Sequence, residues 1–431
     1  MNLKSLLAGA AALVFSSAFV GVETAHAQLG TGGASLGGGS QQESGAGVSS
    51  KKLSPNPTAP LGVVGPAQSR LPLVSEEQLP PGQMQGLTEG LGEAGSSSLA
   101  DRDSQAYTNV SVPPHPYSTA RVAVTGPRGP GTGVVHTPVT STPYRQSGKL
   151  YMRFGSGWFV CTASLIGPSI LVTAAHCVHD YGQGAAGWAD DVVYYPSHLK
   201  PALTPAGIDL NAGGPWGGYR AIEMVIPTPY FNGTDTCQTG AIGVVCNNDI
   251  AVLALQLKDN KQVGAVVGGW YDYGWNGYSS ISSSAFGNQT VSAITQLGYP
   301  LAIDGGIQML RNDSFGRYVT TSATSNGQQL RNTELGSLMT GGSSGGPWLV
   351  NFGTRPTITG SAQFGTAAAS NVVVGVTSWG YTSTAIHTQG ASFFGQNYEF
   401  PNANYGGRGA GNIGALVNHI CTIYPGRCAP L

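Results

Sequence analysis

The chain has 431 residues, a formal net charge of −1, only 10% charged residues and 65 glycines. With no basic stripe to attract phosphates, nucleic acid is excluded as an expected partner. Beyond the N-terminus no apolar run approaches the ~18 residues a spanning helix needs, so no stable membrane anchor is expected.

The first element is an export signal. Lys4 supplies a short positive region, Leu6 to Val20 is mostly apolar or small, and Ala25-His26-Ala27 has the small-x-small form that precedes cleavage. Residues 1–27 are therefore expected to be removed, with a mature start near Gln28. Residues 28–142 read as a Gly/Ser/Pro-rich pro-segment or linker. Gly30 to Ser50 is nearly all Gly, Ser, Ala and Gln, and Ser54 to Gly82 is studded with Pro. Such sequence buries too little apolar surface to offset chain entropy, so a largely disordered segment is expected. Strand-like material occurs there only from Val110 to Val124.

From Pro143 the pattern changes to short β-rich runs divided by turns, which marks 143–431 as the folded domain. Leu150 to Phe154, Trp158 to Ile166 and Ile170 to Thr173 are predicted strands, the last delivering His176 just beyond its end. Ile250 to Leu255 is an apolar run suited to a strand buried on both faces, and Val372 to Trp379 is another strand. Near the C-terminus Ile413, Leu416, Val417 and Ile420 form one helical stripe, stopped by Pro425 and Gly426. Repeated short strands with Gly-rich turns point to closed sheets rather than alternating strands and helices.

Export makes the six cysteines readable as disulfides. Spacing favours Cys161–Cys177, Cys237–Cys246 and Cys421–Cys428, each closing a short loop. No CxxC pair occurs, which argues against a zinc site.

A serine hydroxyl is a poor nucleophile until a base takes its proton. Gly342-Ser343-Ser344-Gly345-Gly346-Pro347 sets Ser344 on a glycine-flanked turn, where a carbonyl can approach the backbone. The N–H groups of Gly342 and Ser344 are then placed to meet a developing oxyanion. His176 is the favoured base, because Cys177 would tie it to the neighbouring strand through Cys161; His179 competes. Asp249, at the mouth of an apolar strand, needs a hydrogen-bonding partner that an imidazole N–H supplies, and would hold His176 in the working tautomer. Asp190, Asp191, Asp209 and Asp272 are less favoured acids. The same serine also satisfies G-x-S-x-G, the elbow of α/β-hydrolases, which would need Glu399 with His387 or His419 after it.

Thr173-Ala174-Ala175-His176-Cys177, Asn248-Asp249-Ile250-Ala251-Val252-Leu253 and Gly342-Ser343-Ser344-Gly345-Gly346-Pro347 resemble, in order and spacing, the three catalytic blocks of trypsin/chymotrypsin-fold serine proteases. Ser378-Trp379-Gly380 is similar to the edge segment that pairs with a bound peptide. Leu297-Gly298-Tyr299-Pro300 and Met339-Thr340-Gly341-Gly342 look like the secreted bacterial branch that includes glutamyl endopeptidases.

The resemblance implies an all-β fold of two six-stranded antiparallel barrels with a C-terminal helix and the site between the barrels. It implies hydrolysis of polypeptide substrates by Ser344, His176 and Asp249, with no metal or cofactor, in a secreted or periplasmic bacterial monomer. Ser343 stands where animal enzymes carry the aspartate that pairs with a new N-terminus, so activation follows another route; removing the segment before Pro143 would uncover the cleft. Leu338 and Met339 occupy pocket positions and Thr377 precedes the edge segment, which implies an uncharged residue before the cut. A catalytically silent binding protein on the same fold is the expected alternative.

Overall fold

In the computed structural model the described residues are 28–30, 47–57, 65–74, 107–110, 117–122, 138–238, 241–242, 248–276, 281–283, 289–323, 329–353, 370–381 and 386–430. The first sheet contains β1 (Ser147–Phe154), β2 (Gly157–Gly167), β3 (Ile170–Thr173), β4 (Asp191–Pro196), β5 (Tyr219–Pro227) and β6 (Ala251–Leu255). They pair antiparallel in the order β4-β1-β2-β3-β6-β5 and return to β4 through the short pairing of Val193 with Arg220 and Tyr194 with Tyr219. The β1–β2 hairpin turns on Gly155 and Ser156, with Gly155 at φ +57°, a conformation glycine adopts without steric cost.

The second sheet contains β7 (Gln289–Gly298), β8 (Leu310–Ala323), β9 (Gln329–Gly336), β10 (Pro347–Val350), β11 (Val372–Tyr381) and β12 (Thr388–Phe393). The order β7-β10-β11-β12-β9-β8 closes where β8 pairs again with β7. The protein is thus all-β, two antiparallel barrel-like sheets with few helices.

Helix α1 (Gly411–Ile423) explains the continuous apolar run of β6. It lies across β5 and β6, so β6 has the barrel interior on one face and the helix on the other. Ile413, Leu416, Val417 and Ile420 are all buried there, as their spacing predicts. Each such side chain contributes about 1.5–3 kcal/mol when removed from water. A disulfide between Cys421 and Cys428 closes the helix end. Among the described residues no helix is long and apolar enough to cross a membrane.

The Gly- and Pro-rich lead segment contributes edge strands to both barrels. Val48–Lys52 pairs antiparallel with β5, and Tyr117–Arg121, inside the strand-like patch read from the sequence, pairs antiparallel with β8. Gln28–Gly30 pairs with Asp272–Trp275, Gln68–Ser69 runs parallel to β2, and Leu73–Val74 runs parallel to β11. Strand addition draws on main-chain donors and acceptors, which every non-proline residue carries, so a polar sequence can join a sheet without a core of its own.

Candidate active site

The ends of β3 and β6 and the turn before β10 meet between the barrels. His176 lies in a short 3-10 turn, Ala175–Cys177, directly after β3, and the Cys161–Cys177 disulfide ties that turn to β2. Asp249 precedes β6, antiparallel to β3, which brings its carboxylate under the turn. The backbone N–H of His176 donates to Asp249 Oδ1 at 2.8 Å, and His176 Nδ1 lies 2.8 Å from Asp249 Oδ2. Ser378 Oγ donates to the same Oδ2 at 2.6 Å. The main-chain N–H of Asp249 in turn donates to Ser392 Oγ at 3.1 Å. The carboxylate is wholly buried, and these three donors replace the water it has lost.

The serine turn is held from both barrels. Thr162 on β2 donates its N–H to Ser344 O at 2.7 Å and its hydroxyl to Gly342 O at 2.8 Å, while Gly345 N–H reaches Thr377 O at 2.8 Å. Gly345 has φ +73°, and a Cβ there would collide with Thr173 Oγ1 and the Thr162 carbonyl. Only glycine lets the turn approach β2 and β3 this closely. Ser344 Oγ is buried with no hydrogen-bond partner among the described residues. Ser343, by contrast, is engaged: its hydroxyl donates to Thr340 O at 2.7 Å and receives Gln389 Nε2 at 3.2 Å.

Two backbone N–H groups of the serine turn are left without an acceptor among the described residues. Gly341 O accepts from Leu301 N at 2.7 Å and Ser343 O accepts from Gly346 N at 2.9 Å. In a trans peptide the N–H points opposite to its carbonyl. The N–H groups of Gly342 and Ser344 therefore point away from those anchors, and neither donates a hydrogen bond among the described residues. Such a pair of free donors is what an oxyanion requires.

Other acids and bases in the sequence are used elsewhere. His179 Nε2 donates to Gly184 O at 2.7 Å, its ring packs against Trp188, Tyr230 and Phe231, and burial lowers its pKa. Asp191 pairs with Arg220 at 3.2 Å, Asp190 lies 3.7 Å from Arg153, and Asp209 accepts from Asn211 N at 2.8 Å. Asp272 lies on the strand Asp272–Trp275. Glu399 receives Asn248 Nδ2 at 3.4 Å, His387 Nδ1 meets Tyr117 OH at 2.8 Å, and His419 stands on α1. Near Asp249, burial and the neighbouring Glu399 push the pKa of Asp235 well above the usual carboxylate range. Among the described residues Cys161, His176 and Cys177 are close enough to share an ion, but both sulfurs are bound in the disulfide and neither is a thiolate. Cys246, and with it the pairing with Cys237, lies outside the described residues.

The pocket positions are divided between two walls. Leu338 is half-buried and Met339 buried, the latter packed with Ile303 and Leu310. Met339 O accepts from Gln389 Nε2 at 2.9 Å, and Gln296 Nε2 reaches Gln389 Oε1 at 2.6 Å, so neutral amides stand behind this wall. Thr377 turns its hydroxyl into the barrel, where Gln296 Nε2 and Trp348 Nε1 meet it at 2.8 and 3.0 Å. Trp379 is fully buried with its indole against Gly390. Sequence reasoning missed Thr162, Gln389 and Ser392, which stand outside the motif blocks, and it placed Ser378 only as a peptide-pairing residue.

A family model described as Trypsin matches residues 135–394, more than half of the chain. The chain belongs to the trypsin family. It is by that membership a serine endopeptidase, acting on polypeptide substrates. No curated protein sequence matches the chain. Among solved structures this trypsin-family chain is similar to a thermostable serine protease, AL20, from an extremophilic microorganism. The identity is 22% and the TM-score 0.41, covering 58% of this chain and 92% of that one. The protease Anisep from Arthrobacter nicotinovorans is 22% identical, with TM-score 0.40 and coverage of 59% and 93%. A Glu endopeptidase in complex with MPD is 20% identical, with TM-score 0.34 and coverage of 59% and 88%.

Proposed function

We propose that the chain is a secreted, monomeric serine endopeptidase of bacterial type that works through Ser344, His176 and Asp249. The observation that carries this reading is the double grip of one carboxylate on His176, at its backbone N–H and at Nδ1, both 2.8 Å. With Nδ1–H donated to Asp249, Nε2 is left as an acceptor, the tautomer a general base needs.

Ser344 Oγ forms a bond to the scissile carbonyl carbon while its proton passes to His176 Nε2. Negative charge gathers on the carbonyl oxygen, facing the N–H groups of Gly342 and Ser344. The C–N bond then breaks, the departing amine takes the proton from His176, and an acyl-enzyme remains. Water repeats the sequence in the second half, returning the proton to Ser344. The residue before the cut sits by the second barrel, between Leu338–Gly342 and Ser378–Gly380. The leaving amine faces the first barrel, by β2 and the Cys161–Cys177 bond. The neutral amides behind Met339 support preference for an uncharged side chain.

Export rests on the N-terminal pattern of residues 1–27, and the two disulfides among the described residues fit an oxidising compartment. The test is Ser344→Ala with its cleft uncovered: peptide hydrolysis should fall by about 10⁶ in turnover, as in related triads. A variant with near-normal hydrolysis and continued fluorophosphonate labelling would move the nucleophile elsewhere.

A further inference from the structure

Ser344 is wholly buried and His176 is 4% exposed, so a protein substrate cannot meet either as the chain is folded. A stretch of the lead segment lies over the cleft. Gln68 and Ser69 pair with Phe159 and Val160 of β2, on the first barrel, and Leu73 and Val74 pair with Gly380 and Tyr381 of β11, on the second. Between them the chain crosses from one catalytic wall to the other. Arg70 turns toward the first barrel: its Nε donates to His176 O at 2.8 Å, its guanidinium pairs with Asp180 and lies 3.8 Å from the Phe154 ring centre. Ser69 and Leu71 turn toward the second: a Cβ on Gly341 would collide with Ser69 Oγ and lie 3.6 Å from Leu71 Cβ, and one on Gly380 would lie 3.4 Å from Leu71 Cδ2. Gly380 N–H donates to Pro72 O at 3.1 Å, using the edge donor that would otherwise serve a substrate backbone.

We infer that residues 67–74 are a built-in inhibitor that fills the substrate cleft in reverse. This rests on the roles proposed above for Ser344, His176 and the two walls. A productive peptide runs from its acyl part at the second barrel to its leaving amine at the first. The strap runs the other way, from β2 to β11, and its pairing with β11 is parallel. Any of its peptide bonds above Ser344 carries its nitrogen on the second-barrel side, away from the first-barrel His176 that must protonate it. The strap therefore occupies the site without being cut. Gln68, Ser69 and Leu73 are exposed, so it lies on the surface of the cleft and can leave without opening either barrel.

The experiment compares the full wild-type chain with Arg70→Glu, which sets a negative charge against Asp180 and the His176 carbonyl, and with Leu71→Asp, which attacks the opposite wall. Amide hydrogen exchange over Ser378 to Tyr381 reads strap occupancy without any chemistry, and fluorophosphonate labelling reads access to Ser344. Both variants should exchange and label faster, Arg70→Glu by at least about tenfold in labelling, since a lost charge-assisted bond is worth that much or more. A synthetic peptide of residues 65–74 added to Arg70→Glu should slow labelling again and remain intact by mass spectrometry. Unchanged exchange in both variants overturns the strap, whatever the labelling does. Faster exchange without labelling leaves the strap standing and overturns Ser344 as nucleophile. Cleavage of the peptide within residues 67–74 overturns the reversed orientation.

Discussion

Asp249→Asn tests the candidate triad through the geometry of three donors. The native carboxylate accepts His176 N–H on Oδ1, and His176 Nδ1 and Ser378 Oγ on Oδ2. Asparagine has one oxygen and one NH₂, so one of these sites becomes a donor. With NH₂ at the Oδ1 site, two N–H groups face each other at 2.8 Å, and the backbone one cannot change. With NH₂ at the Oδ2 site, both partners can adapt: the Ser378 hydroxyl rotates to accept, and His176 moves its proton from Nδ1 to Nε2. The second arrangement is favoured, and it leaves His176 with no free pair at Nε2. Catalysis should fall by about 10⁴, the loss known for this replacement in such triads, equivalent to about 5 kcal/mol of transition-state stabilisation. The assay is kcat/KM on a peptide substrate with the strap displaced, alongside ¹⁵N shifts of the His176 ring. A rate within tenfold of the wild type, or a ring still protonated at Nδ1, would refute this account of Asp249.

Two further predictions concern stability. Burial and the nearby Lys149 lower His198 to about 3, and it is held neutral between Tyr151 OH at 3.0 Å and Ile307 O at 3.1 Å. The unfolded chain takes up a proton near the ordinary histidine pKa and the folded one does not, so stability is complete above that value and is lost as pH falls through it. Between pH 7.5 and 5.5 the folded state should lose about 1.4 kcal/mol from this residue; a His198→Asn chain with the same pH slope in denaturant melts would contradict it. Removing the Cys161–Cys177 bond by double substitution to alanine should lower unfolding stability by about 3 kcal/mol, the value for a loop of its length. Because that bond also fixes the His176 turn, kcat should fall as well, and unchanged turnover would show that Asp249 alone positions the ring.

Residue order by itself determined the chemistry and the larger elements. The strand leading to His176, the apolar run of β6 that follows Asp249 and the stripe of α1 are local patterns of hydrophobicity, and local patterns survive without knowledge of partners. The glycines around Ser344 likewise announce a tight turn, because φ values such as +102° at Gly342 and +73° at Gly345 exclude most other residues. Tertiary structure alone decided how these groups are held. Thr162 and Ser392 act across 137 to 180 positions of chain from the opposite barrel, Gln389 acts across 50 within its own, and a lone polar residue in a strand carries no mark of its distant partner. The lead segment shows the same limit most clearly. Its composition foretells the want of a core, which is a property of side chains, but its pairing with β2, β5, β8 and β11 is made by backbone N–H and C=O groups that look alike at every position. That Gln68 to Val74 crosses the site, and in which direction, therefore became visible only when both barrels were in place to receive it.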